Sequence, residues 1–163
     1  MLLDYLRATQ VGDPMKNTVS WVLTIYICFV FIQSLFFKFT GSEETVIIFS
    51  TIAAWMVDIG LPTGFSQAFG EYGGITIGTI ELIASILLLI PKTRLWGALI
   101  ALGIISGAIF FHLFTPLGVV RTIDAAGNTD GGVLFYMACG VWVSAVALIA
   151  MSVYQPKPQS ALA

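Results

Sequence analysis

Four ionisable side chains lie within, or at the ends of, long apolar runs: Lys38, Glu81, His112 and Asp130. In a membrane interior such a group costs several kcal/mol unless it is paired or hydrated, so each is a candidate site residue. Lys38 and Glu81 carry opposite charges on long arms, and a meeting between them would keep both ionised. His112 adds an imidazole, the side chain best suited to exchanging a proton near neutrality. A carboxylate beside that imidazole, under an aromatic mouth of Phe36, Phe37, Phe110, Phe111 and Tyr72, would suit a quinone-like head group and its protons. Asp130 and the preceding Arg121 are placed to join the cluster. An ion pair and a hydrogen bond that only fix helix packing account for the same residues equally well.

Other chemistries find no support. Cys28 and Cys139 lie in apolar runs without a Cys-x-x-Cys spacing, and read as packing residues. A single His without neighbouring Cys or His builds no usual zinc or haem site. Neither a nucleophile elbow nor a phosphate-binding glycine loop is present. No catalytic residue, metal ligand or intrinsic cofactor is therefore expected, and the ligand class left open is a quinone or a lipid.

The elements that position these groups follow from composition. Of 163 residues, 58% are hydrophobic and 10% charged, against roughly 25% charged in an average soluble domain. So few charges cannot cover a water-soluble surface, and a net charge of −2 removes the basic footprint of a nucleic-acid binder. The expectation is a single membrane domain over 1–163, all-α, with four transmembrane helices. Apolar runs at 19–37, 75–90, 95–114 and 133–153 are the spans, given that about 20 helical residues cross a bilayer. The run 45–57 is too short to cross and reads as an interfacial helix between the first two spans. Glu43 and Glu44 suit the dipole of its first turn. Residues 60–74, with five Gly and one Pro, read as an irregular return loop.

Small residues recur at helical spacing, as Gly74, Gly78, Glu81 and Ser85, as Gly97, Ala101, Ala108 and His112, and as Gly140, Ser144 and Ala147. These faces suit close helix packing. Gly103 and Gly107 fit internal packing or a homodimer seam. Orientation follows from the basic residues. Arg7, Lys16, Lys92, Arg94 and Lys157 share one side, against Lys38 and Arg121 on the other. Lys92 and Arg94 are thus orienting residues, both termini are expected in the cytoplasm, and Lys38, Glu81 and His112 fall in the outer half.

Taken together, the segments LFFKFTG (35–41), GTIELIASILLLIPKTRLWGALIAL (78–102), GAIFFHLFTPLG (107–118) and DGGVLFYMAC (130–139) resemble the DoxX family of small four-helix membrane proteins. The resemblance implies a bacterial inner-membrane protein tied to redox metabolism, since the family takes its name from small subunits of a thiosulfate:quinone oxidoreductase. It carries Lys38, Glu81, Arg94 and His112 over as the family's polar pattern.

The leading expectation is an accessory subunit of a redox or respiratory membrane assembly, with a quinone or lipid head-group site on the outer side. Its partners would be membrane lipids and other membrane subunits, with a homodimer left open and no nucleic acid. A structural or assembly subunit without ligand is the first alternative, and a small-solute carrier the second.

Overall fold

A computed structural model describes residues 14–154. Among these described residues are five helices, α1 (Pro14–Thr40), α2 (Glu43–Asp58), α3 (Thr63–Leu89), α4 (Arg94–Phe114) and α5 (Val133–Val153). Four of them, α1, α3, α4 and α5, are long and apolar enough to cross a membrane. Among the described residues the only extended pairing is one isolated antiparallel bridge, Thr122 to Thr129.

Both faces of α1 are apolar, so side-chain size and burial distinguish them. Val22, Ile25, Phe29, Ile32 and Phe36 recur at three- and four-residue spacing and are 50–70% exposed, forming a stripe for lipid. Thr24, Ile27, Cys28, Phe31 and Leu35 face inward and are buried. The inward face joins Ala84 and Leu88 of α3, Ala98, Ala101 and Ile105 of α4, and Val141, Ala145 and Leu148 of α5 in one core. Helix α1 packs on α3 and α5, and α4 packs on the same two, which closes a four-helix ring. Helix α2 lies outside the ring, chiefly against α3.

Small residues set the closest approaches. A Cβ on Gly97 would lie 2.7 Å from the Leu88 nitrogen and 2.9 Å from the Ala84 oxygen, so α3 and α4 touch there backbone to backbone. Gly140 leaves room for the Tyr26 ring, whose hydroxyl donates to the Met137 carbonyl at 3.3 Å. At this end of the bundle Arg94 is buried, not merely orienting. It donates to Ser20 Oγ at 2.8 Å and Leu88 O at 3.1 Å, and lies 4.2 Å over the Trp21 ring. Lys92 remains exposed. Arg7 and Lys157 lie outside the described residues.

One expectation of the sequence fails clearly. Residues 63–74 are not a return loop but the first half of α3, leaving only 59–62 as the connection. The glycines that suggest a loop instead make a helix face. A Cβ on Gly73 would come within 2.5 Å of the Phe49 ring, on Gly74 within 2.9 Å of Thr45, and on Gly70 within 3.0 Å of Ala53. Glycine is a poor helix former alone, but here it lets α2 lie against α3 with its ring and methyl groups seated in the groove. Gly73→Leu is accordingly expected to release α2, read as faster hydrogen exchange across Glu43–Asp58 while α4 and α5 keep their protection.

Ser42 caps α2 by accepting a hydrogen bond from the Thr45 N–H at 3.3 Å, with Glu43 and Glu44 in the first turn. The α2–α3 hairpin is antiparallel, since Thr45 faces Gly74 while Ala53 faces Gly70.

Candidate ligand-binding site

Lys38 and Glu81 meet. Lys38 Nζ, in the last turn of α1, donates to Glu81 Oε1 at 2.6 Å and Oε2 at 2.5 Å, and to Ser34 Oγ at 3.1 Å. Ser34 Oγ donates in turn to Glu81 Oε2 at 2.8 Å. The two charged side chains are 17% and 5% exposed. Gly78 makes the approach feasible, because a Cβ there would meet Phe39, Leu35 and Lys38. All three ammonium protons have acceptors, so the cluster is closed on itself.

His112 does not join that cluster. Its Nδ1 lies 2.6 Å from the Gly118 carbonyl oxygen. A carbonyl only accepts, so Nδ1 carries the proton, and Nε2 makes no bond within the described residues. The separation follows from register. Phe111, beside His112, packs against Phe69 of α3, which is twelve residues from Glu81. The expected carboxylate beside an imidazole is therefore not formed. The sequence reading placed the start of this span too late and so compressed the distance.

Asp130 belongs to a third group, with Arg121 and Glu44. Arg121 is 2% exposed and pairs through Nη2 with Glu44 Oε1 at the start of α2, and through Nε with Asp130 Oδ2 at 3.4 Å. Asp130 Oδ1 accepts from the backbone N–H groups of Arg121 and Gly132. Glu43 Oε1 accepts from the Ala125 N–H at 2.6 Å. Together these bonds fasten the segment 115–132 onto the N-terminus of α2. Glu43 and Glu44, read from sequence as helix-dipole residues, thus have a second role. Its signal was present: two acidic residues before an apolar run, and a lone Arg in a distant polar loop.

Burial pushes the Asp130 carboxyl up. Hydrogen bonds from Gly132 and Arg121, the Arg121 charge and the Leu134 N–H outweigh that and hold it below the usual carboxylate range. A lowered carboxylate contributes stability above its unfolded value, near 3.9, and loses that contribution as pH falls through the folded value. Amide protection at Gly132 and Leu134 is therefore expected to be equal at pH 7 and pH 5, and to collapse only below about pH 4.

The three groups border one cavity of about 490 Å³, within the roughly 300–1,000 Å³ range of small-molecule sites. Lys38, Glu81, His112 and Asp130 all line it, amid walls drawn from all five helices. Of the expected aromatic mouth, Phe37 and Phe111 line the cavity and Phe36, Phe110 and Tyr72 do not. Phe49 and Phe69 line it in their place. The assignment of 60–74 to a loop hid Phe69. Gly103 and Gly107 also border the cavity, and a Cβ on either would meet nothing within 4 Å, so they widen it.

Among the described residues no group of three or more His, Cys, Asp and Glu side chains is arranged to hold a metal ion. Cys28 and Cys139 are free thiols, Cys28 buried in the core and Cys139 half-buried.

Comparison with known proteins corrects the family expected from sequence. No curated protein and no solved structure matches the chain. A family model described as methylamine utilisation protein MauE matches residues 16–121, and no match to DoxX accompanies it. The segments that suggested DoxX are a membrane-bundle pattern with a Lys, a Glu and a His, which does not distinguish one small four-helix family from another. The matched region spans α1 to α4 and includes Lys38, Glu81, His112 and Arg121, well over half of the chain, and the protein belongs to the MauE family of membrane proteins.

Proposed function

We propose that this multi-pass membrane protein is an accessory component of a methylamine-utilisation system that acts by binding, with other proteins of that system as its partners. The observation that carries the reading is the combination of the family match with a cavity whose Lys38–Glu81 pair is already satisfied. Glu81 is closed by Lys38 and Ser34, so it is poorly disposed to receive a free ammonium substrate. The walls are mostly apolar and the volume far exceeds that of a one-carbon amine, since a water molecule accounts for about 30 Å³ of liquid. A ligand larger and more apolar than methylamine suits the chamber.

The quinone expectation is not carried forward. It rested on the DoxX resemblance and on an imidazole beside a carboxylate, and neither holds. A lipid-like ligand remains. The placement belongs to the same proposal: a bacterial inner membrane, with the Lys16, Lys92 and Arg94 end in the cytoplasm and the cavity toward the outer face.

Deletion of the gene in its own host tests the reading. Growth on methylamine is expected to fail while growth on ammonium is unaffected and uptake of radiolabelled methylamine continues. Unimpaired growth on methylamine would overturn the proposal. Loss of uptake would overturn it in favour of a carrier.

A further inference from the structure

Where the cavity is closed, where it is open and which of its polar atoms lacks a partner together define a ligand. Beyond the end of α1 the chamber is covered by α2 and by the segment 115–132. Arg121 ties these two covers together through Glu44 and Asp130, and Glu43 adds a bond to Ala125. The exposed residues of the cavity wall lie instead on the spans: Gln33 and Phe37 on α1, Gly103 on α4 and Val133 on α5. The exposed part of the wall thus lies on the spanning helices.

The chamber of about 490 Å³ reaches from Glu81 to His112, which both line it, a volume in the range of small-molecule sites. At the Glu81 end the ionic groups are bonded within the protein, and the exposed Gln33 amide makes no bond there. At the other end His112 Nδ1 is committed to Gly118, and among the described residues Nε2 makes no bond within the protein. His112 borders the cavity and is buried, unlike Gln33, so its unpartnered ring nitrogen is an unmet polar requirement of the chamber interior.

We propose that the cavity binds a single-chain amphiphile with a hydroxyl head, admitted sideways from the bilayer. The chain lies along Gly107 and Gly103, and the head donates a hydrogen bond to His112 Nε2. This deepens the binding reading above and rests on it.

The full-length protein in detergent, titrated with 1-monomyristoylglycerol and followed by native mass spectrometry, tests the proposal. A saturable single adduct is expected. Methyl myristate, which keeps the chain but offers no donor, should bind about tenfold more weakly, the worth of one hydrogen bond at the upper end of its range. In His112→Ala that preference should vanish, the two probes binding alike. Gly107→Phe fills open space and should remove the adduct while leaving the thermal midpoint unchanged.

Equal binding of the two probes by the unmodified protein would overturn the hydroxyl assignment. Undiminished binding by a folded Gly107→Phe would overturn the cavity as the site, marking the adduct as surface lipid. Should Gly107→Phe fail to fold, the probe comparison in the unmodified protein decides alone. The growth phenotype of the gene deletion is independent of these adducts, so failure of the ligand proposal and failure of the accessory role are separable.

Discussion

Replacing Lys38 by Ala is expected to destabilise the bundle by about 3–5 kcal/mol, the cost of leaving a buried carboxylate without its counter-charge. Glu81 is 4% exposed and its remaining bond would be the one from Ser34. Glu81→Ala should cost a similar amount, since the ammonium would then lie in the cavity wall without its acceptors. The double replacement Lys38→Met with Glu81→Leu removes both charges and keeps the volume, and is expected to recover most of the loss. Reversible unfolding in mixed micelles, run as a double-mutant cycle, measures the coupling. Independent, additive losses would show that the pair is solvated, and that the cavity is wetter than its lining implies.

The second large effect contrasts glycines of identical type. Gly97→Ala sets a methyl group against the backbone of Leu88 and Ala84, atoms that cannot rotate away. Helices α3 and α4 must separate, at a cost of about 1–3 kcal/mol for a single overpacked methyl. Gly103→Ala and Gly107→Ala place the same methyl in open space. They are expected to be neutral or stabilising by up to about 1 kcal/mol, from the better helix propensity of Ala. The contrast is checked by thermal midpoints in one detergent. Equal losses at all three positions would mean that Gly103 and Gly107 are packed, as a dimer seam would require, and would remove the cavity.

Much of this architecture is legible in the residues. The first, third and fourth spans follow from uncharged apolar length, and the pairing of Lys38 with Glu81 follows from two opposite charges that a membrane interior forces together. The short helix between the first two spans is legible too, from Ser42, the acidic first turn and an apolar run too short to cross. Gly70, Gly73 and Gly74 mislead for a physical reason. A glycine cluster signals a loop when helix propensity decides, and a helix face when a neighbouring helix must come close; one sequence without its partner helix does not separate the two. The same misreading placed Glu81 near the start of its span and next to His112, when about three more helical turns of α3 precede it.

The clamp on the loop was hidden differently. Arg121, Glu44 and Asp130 are 77 and 9 residues apart in sequence, and only the fold brings the first two together. Family membership was the least legible feature, because a bundle of apolar helices with a few charged positions is written in similar residues by unrelated small membrane families.

The most direct test is native mass spectrometry of the full chain, gently solubilised from its own membrane, alongside the Gly107→Phe variant. The predicted result is one amphiphile of defined mass retained by the unmodified protein and absent from the folded variant, with proteins of the methylamine-utilisation system bound to both. A bare chain carrying the same spread of bulk phospholipid in both forms would contradict the account.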